Sequence, residues 1–279
     1  MAAACRSSRL WAADKDAGGA RHSRIYSTKQ TALFCLKRAY NLASQTNMPS
    51  KKNIVTHAPS ASDIHKVCDL LERTYKNPRH GNPRRPLDDL IYIILSTRTR
   101  DLKFRTTFRN LKRAFPAWDS VRSRNRSALE RILVPAGLGR LKAAQIIDII
   151  KGLRLRFGRA TLAPLAKMTD AEAEHQLTSL PGVGPKVAKC VLMYALDRDV
   201  LPVDVHVHRL AMRLGFRTKK RPDTSQELIE SAVPPKLRYS FHVNAVAHGR
   251  TVCLSQRPRC HVCPISKWCA CYNMQRAKN

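Results

Sequence analysis

Acidic side chains are scarce in this sequence. Only 20 Asp and Glu stand against 51 Lys and Arg in 279 residues, a formal net charge of +31. A surface so poor in carboxylates attracts polyanions, either nucleic acid or an anionic membrane. Long apolar runs are lacking too. The most apolar stretch, LIYIIL at 90–95, is far short of the ~20 residues that cross a bilayer, so a membrane span is excluded. No continuous apolar core stands near the N-terminus, which argues against a secretory signal. A reducing compartment follows, and there the nine cysteines read better as metal or cluster ligands, or as buried thiols, than as disulfides. Runs of alternating strand residues, internal repeats and low-complexity tracts are also missing. What remains is a basic, helical, nucleic-acid-facing protein.

Residues 1–58 differ from the rest. They are rich in Arg, Lys, Ser and Ala, hold two acids, Asp14 and Asp16, and show no sustained helical stripe. They read as a disordered basic extension. A mitochondrial transit segment and an over-extended start, with Met48 as the natural beginning, are the other readings. From Ser60 onward the period is helical throughout. Ile64, Val67, Leu71 and Tyr75 form a stripe behind Ser60 or Ser62 as N-cap. Pro86 opens a helix with Asp88 and Asp89 in its first turn. Phe104, Phe108, Leu111 and Phe115 form another stripe. Gly137 and Gly139 break the chain before Leu141, Ile146, Ile150 and Leu153. Thr169 with Glu172, and Thr224 with Glu227, read as capping boxes. An all-α fold of about nine to eleven helices is expected.

Two segments carry chemistry. In LPGVGPKVA, residues 180–188, a helix should end near Ser179 and another begin at Pro185. Two close glycines permit positive φ and expose backbone amides at a helix N-terminus. Such a turn is either an ordinary helix–helix connection or a site for a DNA phosphate. Lys186 falls in the first helical turn, where the dipole disfavours an ammonium. It either pairs with a phosphate or acts as a nucleophile, which needs a lowered amine pKa. In VDVHVHRL, residues 203–210, Asp204 is either a plain N-cap or a carboxylate that takes a proton or faces a sugar cation. At the C-terminus, Cys253, Cys260, Cys263 and Cys269 stand in Cys-x6-Cys-x2-Cys-x5-Cys spacing. Four thiolates so close hold zinc or an iron–sulfur cluster, with Cys271 able to replace Cys269. Cys5, Cys35, Cys68 and Cys190 read as incidental or buried thiols.

Together LPGVGPKVA, VDVHVHRL and the cysteine spacing resemble the endonuclease III family of DNA glycosylases, within the helix-hairpin-helix superfamily. LIYIILSTRTRD, HGRTVC and GLGRLKAAQII also resemble family segments, and the similarity runs from about Ser60 to Cys271. The resemblance implies a two-lobed all-α fold. A six-helix barrel with the helix-hairpin-helix would span 81–199, and a helical iron–sulfur domain would join 59–80 to 200–279. It implies a monomer acting on damaged or abasic duplex DNA, whose target base is flipped out of the helix. Lys186 would attack C1′, expel the base and allow β-elimination, with Asp204 assisting. Gly182, Val183, Gly184, Arg98, Lys189 and His206 would contact DNA. Cys253, Cys260, Cys263 and Cys269 would hold a [4Fe–4S] cluster. Mismatch-specific branches lack the lysine and do not nick.

Three departures bear on the lesion: Arg98 where the family has glutamine, Pro185 for arginine, and Val205 for threonine. An oxidised pyrimidine is the family default. A DNA-binding protein without turnover and a mismatch-specific glycosylase are the competing readings. With Met48 as the start a bacterial cytoplasm is expected, and with a genuine extension a mitochondrion or nucleus.

Overall fold

A computed structural model of the chain describes residues 59–97, 99 and 103–277. The expectations for the 1–58 extension and for Arg98 lie outside the described residues. All of those described fall in one compact unit, residues 56–279. They form eleven α-helices joined by short 3-10 turns, with no strand, as the sequence pattern requires.

Two apolar cores divide the helices. The first is built by α2 (Pro86–Ser96), α3 (Lys103–Ala114), α4 (Arg126–Leu133), α5 (Gly139–Phe157), α6 (Asp170–Thr178) and α7 (Pro185–Ala195). The second is built by α1 (Ala61–Tyr75), α8 (Val205–Leu214), α9 (Pro222–Ala232) and α10 (Arg238–Thr251). A final helix, α11 (Ala270–Arg276), packs on α8. The apolar run of α2 is a core helix, buried from Leu90 to Leu95. No described helix is long and apolar enough to cross a membrane.

Local chemistry sets the helix starts. Ser60 caps α1 in a reciprocal box with Asp63, and Thr169 does the same for α6 with Glu172, satisfying amides that a helix end leaves open. Gly215 stops α8 at φ 92°. Two expectations change. The Thr224–Glu227 box does not form, because Pro222 starts α9 earlier and the Thr224 hydroxyl donates to Arg221 O at 3.0 Å. Leu141 leaves its stripe and is 62% exposed, because Lys142, Ala143, Ile146 and Ile150 turn the buried face of α5 away from it.

Candidate active site

The hairpin forms between α6 and α7 as the glycines require, but only one of them needs special backbone. Gly182 has φ 68°, the left-handed region that glycine enters at no cost. Gly184 is extended and serves as the N-cap of α7. A Cβ on Gly182 would lie 2.5 Å from Gln145 Nε2, whose amide donates to Pro181 O at 3.0 Å and ties the turn to α5. Pro181, Gly182, Gly184 and Pro185 are exposed. Val183 was expected at the DNA, but its side chain is buried in the first core, so it offers a ligand backbone only. The first-turn amides of α7, without intrahelical acceptors, complete an anion-facing surface.

Behind that surface, Lys186, Cys190 and Tyr194 follow one another at four-residue spacing, one stripe of α7. Lys186 is within electrostatic reach of Asp204 and of Asp89 on α2. His80, in the segment before α2, is near both Lys186 and Asp204. His242 on α10 is near the same pair, and its ring and that of His80 stand edge-on to Tyr194, with centroids 5.9 and 6.1 Å away. One cluster of side chains thus joins residues far apart in sequence, drawn from elements of both cores.

Its electrostatics are specific. The Lys186 amine is held above its ordinary value, first by the Cys190 sulfur, against burial, and further by Asp204 and Asp89. Burial pushes the Cys190 thiol up to about 11, so it is neutral near pH 7 and Asp204 is the anion that faces the amine. The expected lowering of the amine pKa is therefore reversed in the free protein. Burial works to raise Asp204, yet His242, the Val207 amide and Lys186 hold it below its ordinary value. Burial pushes the His242 ring down to about 4, so near pH 7 the amides and Lys186 stabilise the anion. Asp204 Oδ1 accepts from His206 N at 2.8 Å and Val207 N at 2.9 Å. The N-cap and the chemical reading of Asp204 coexist in one side chain.

One further expectation is corrected. Lys189 does not reach toward DNA. It is 8% exposed, and its ammonium lies 2.8 Å from both Glu174 of α6 and Glu230 of α9. One position before Cys190 and so off the stripe, it points across to the helices that carry those acids. His206 is seated in the α8–α10 contact. Its Nδ1 accepts from Arg209 at 3.0 Å, and a Cβ on Gly249 would come 2.7 Å from that nitrogen.

Leu138 was missed. It is 48% exposed and held at φ 55°, an uncommon conformation for leucine. Its loop is pinned from beneath by Lys142, whose buried ammonium donates to Leu95 O, Thr99 Oγ1 and Ala136 O at 2.8, 3.1 and 3.0 Å. An exposed leucine between two glycines was the available signal.

Cys253, Cys260, Cys263, Cys269 and Cys271 line a cavity of about 130 Å³ beneath α8 and α10. Arg213 donates to Cys253 Sγ at 3.0 Å and to Leu254 O at 2.8 Å. His248 stands 3.6 Å from Cys263 Sγ and 2.8 Å from the Tyr75 hydroxyl. Cys269 caps α11, its sulfur accepting from Tyr272 N at 3.4 Å. No three His, Cys, Asp or Glu side chains among the described residues are placed to hold a single metal ion. Several thiols around one partly apolar cavity, with cationic and N–H donors aimed at the sulfurs, suit a larger inorganic cluster.

A helical hairpin of this kind, set beside a half-buried lysine–aspartate pair, is found in a chain that matches a family of DNA-repair proteins. The pattern of the HhH-GPD superfamily of base excision DNA repair proteins matches residues 91–235. A putative DNA glycosylase of Arabidopsis thaliana is 32% identical over 194 residues, covering 68% of this chain and 65% of that protein, so this chain spans just under two thirds of its relative's length. Endonuclease III of Thermotoga maritima is 29% identical over 195 residues, covering 70% of this chain and 87% of that protein. The structure of a trapped endonuclease III–DNA covalent intermediate shares the fold, with a TM-score of 0.65 at 22% identity, over 78% of this chain and 99% of that one. The chain belongs to the HhH-GPD superfamily of base excision DNA repair proteins, and within it to the endonuclease III family of DNA glycosylases.

Proposed function

We propose that this glycosylase excises an oxidised pyrimidine from duplex DNA and then nicks the abasic strand through a Schiff base on Lys186, acting as a monomer. One arrangement carries the reading: a half-buried lysine stands within electrostatic reach of an ionised, half-buried aspartate, directly behind an exposed hairpin. The hairpin amides hold a phosphate and fix register without reading sequence. Duplex DNA then lies along the seam between the two cores, with the extruded nucleotide at Lys186. The Nζ lone pair attacks C1′, and the C1′–N bond breaks with its electrons leaving on the base, which is protonated. Sugar-ring opening gives an imine on Lys186. Loss of a C2′ proton then expels the 3′ phosphate. Asp204, held as an anion, stabilises positive charge on the sugar through these steps.

Borohydride trapping on duplexes carrying thymine glycol, an abasic site or a mismatched normal base tests this. A covalent band and strand nicking with the first two are expected. Release of an undamaged mismatched base without a band would establish the mismatch reading instead.

Leu138 is the apolar wedge that fills the stack once the base leaves. Leu138→Ala is expected to slow excision from duplex DNA by about tenfold or more, because unstacking costs a few kcal/mol, while trapping on a single-stranded abasic site stays unchanged.

Cys253, Cys260, Cys263 and Cys269 hold a [4Fe–4S] cluster, which when bound supplies an ordered, charge-bearing scaffold for the C-terminal loop. Cys263→Ala is expected to lower iron and acid-labile sulfide per chain and to bleach the visible absorption. A colourless wild type holding zinc would overturn the cluster assignment.

A further inference from the structure

Two acids open α2, and only one has a packing role. Asp88 accepts from the Trp118 indole at 2.6 Å and pairs with Lys112 at 3.1 Å. Asp89 is fully buried. Its Oδ1 accepts from Asn82 at 2.6 Å, while Oδ2 has no hydrogen-bond partner within the chain. Such an oxygen is costly to bury. The neighbouring Leu87, Leu90 and Ile91 are all core residues, so the packing of α2 does not call for an acid there. Unpaired buried groups of this kind concentrate where chemistry uses them.

Asp89 faces the working stripe of α7. The two helices pack directly on each other. Asp89 and Lys186 each act electrostatically on the other, and Cys190 and Tyr194 respond to Asp89 as well. Tyr92 is its titratable neighbour on α2. Asp204, His242 and His80 complete the charged and titratable set around Lys186. The two carboxyls of this cluster are driven in opposite directions. Asp204 is held as an anion by two amides and Lys186. Burial pushes Asp89 up to about 7, against the Asn82 hydrogen bond. Two carboxyls separated in this way take different proton roles in one site.

We propose that Asp89 is the proton acceptor for Lys186, taking the proton that the ammonium must lose before the amine can attack. The inference rests on the Schiff-base reading of the site. In the step, one N–H bond of the ammonium breaks, its electron pair remains on Nζ as the nucleophilic lone pair, and the proton ends on Oδ2, the oxygen that Asn82 leaves open. A buried and a half-buried charge become two neutral groups, a change that low-polarity surroundings favour. Asp204 is the poorer acceptor because its backbone hydrogen bonds stabilise the anion, and the neutral Cys190 thiol has no capacity to take a proton.

The test measures the initial rate of borohydride trapping from about pH 5 to about pH 9, on a duplex with a preformed abasic site, so that base excision does not enter. Wild type, Asp89→Asn and Asn82→Ala are compared. The wild-type profile should bend near neutrality as Asp89 ionises. Asp89→Asn should lose the bend and trap at least about tenfold more slowly at neutral pH, recovering at the alkaline end, with affinity for an unreactive abasic analogue unchanged. Asn82→Ala should move the bend to higher pH, because the carboxylate loses a hydrogen bond that favours it. An unaltered profile in Asp89→Asn overturns the role of Asp89 and leaves the Schiff-base reading standing. If Asp89→Asn does not fold, a bend unmoved in Asn82→Ala has the same consequence. Failure of folded wild type to trap at any pH overturns the Schiff-base reading and this inference with it.

Discussion

Lys186→Ala is expected to reduce the borohydride-trapped complex and strand nicking to background, while binding to an abasic-site analogue survives. The loss is total because the step is covalent: without the amine no imine forms, and no neighbouring group can substitute for it. Lys189 is the nearest lysine on α7, but it is clamped between Glu174 and Glu230 at 2.8 Å each. Binding survives because the hairpin is held from elsewhere. Leu180 and Val183 anchor it in the first core, and Gln145 secures Pro181. Removing one charge from a surface of net charge +31 changes a phosphate-dominated affinity little. Nicking retained by this variant would place the nucleophile elsewhere. Lost binding would show that Lys186 serves the hairpin surface and not the chemistry.

Lys189→Met is expected to be the most destabilising single change among the residues considered, by about 3–5 kcal/mol. It leaves Glu174 and Glu230 facing each other, largely buried, without their shared cation, and only the longer Arg238 pair at 3.7 Å remains to Glu230. Glu230 also accepts from Leu201 N at 2.9 Å, so it cannot swing out to water without releasing the strand of chain that enters the second core. For a domain of this size the loss lowers the melting temperature by roughly ten degrees. Adding Glu174→Gln and Glu230→Gln should restore much of it, since the neutral set no longer buries unpaired charge. A melting temperature within about a degree of wild type would show the three groups to be solvated.

Most of the fold was legible, and so was the proposed pair of Lys186 and Asp204, because both are written in local pattern. Ser60 and Thr169 cap where sequence placed them, Gly182 turns the hairpin, and Asp204 caps α8. Local pattern misled where orientation around a helix decides the outcome. Lys189 differs from Lys186 by three positions, enough to turn it from the cleft to the α6–α9 contact. Thr224 has the residues of a capping box but follows a proline that begins the helix first. Asp89, His80 and His242 were illegible as neighbours of Lys186 because they come from three separate elements and meet only once both cores have formed. The acid at 89 did leave a trace: it lies in α2, whose other faces are apolar almost throughout.

The order in which the cores are threaded has a consequence for synthesis on the ribosome. Helix α1 is made first among the described elements, yet its partners are α10 and the rest of the second core, and Tyr75 meets His248 across 173 residues. At elongation rates of roughly 5–20 residues per second, α1 waits on the order of ten to thirty seconds for the helix that covers it. Meanwhile α2 to α7 can close upon themselves. The nascent chain therefore carries a finished first core with Ile64, Val67, Cys68 and Leu71 still bare behind it, a natural landing point for a chaperone during that interval.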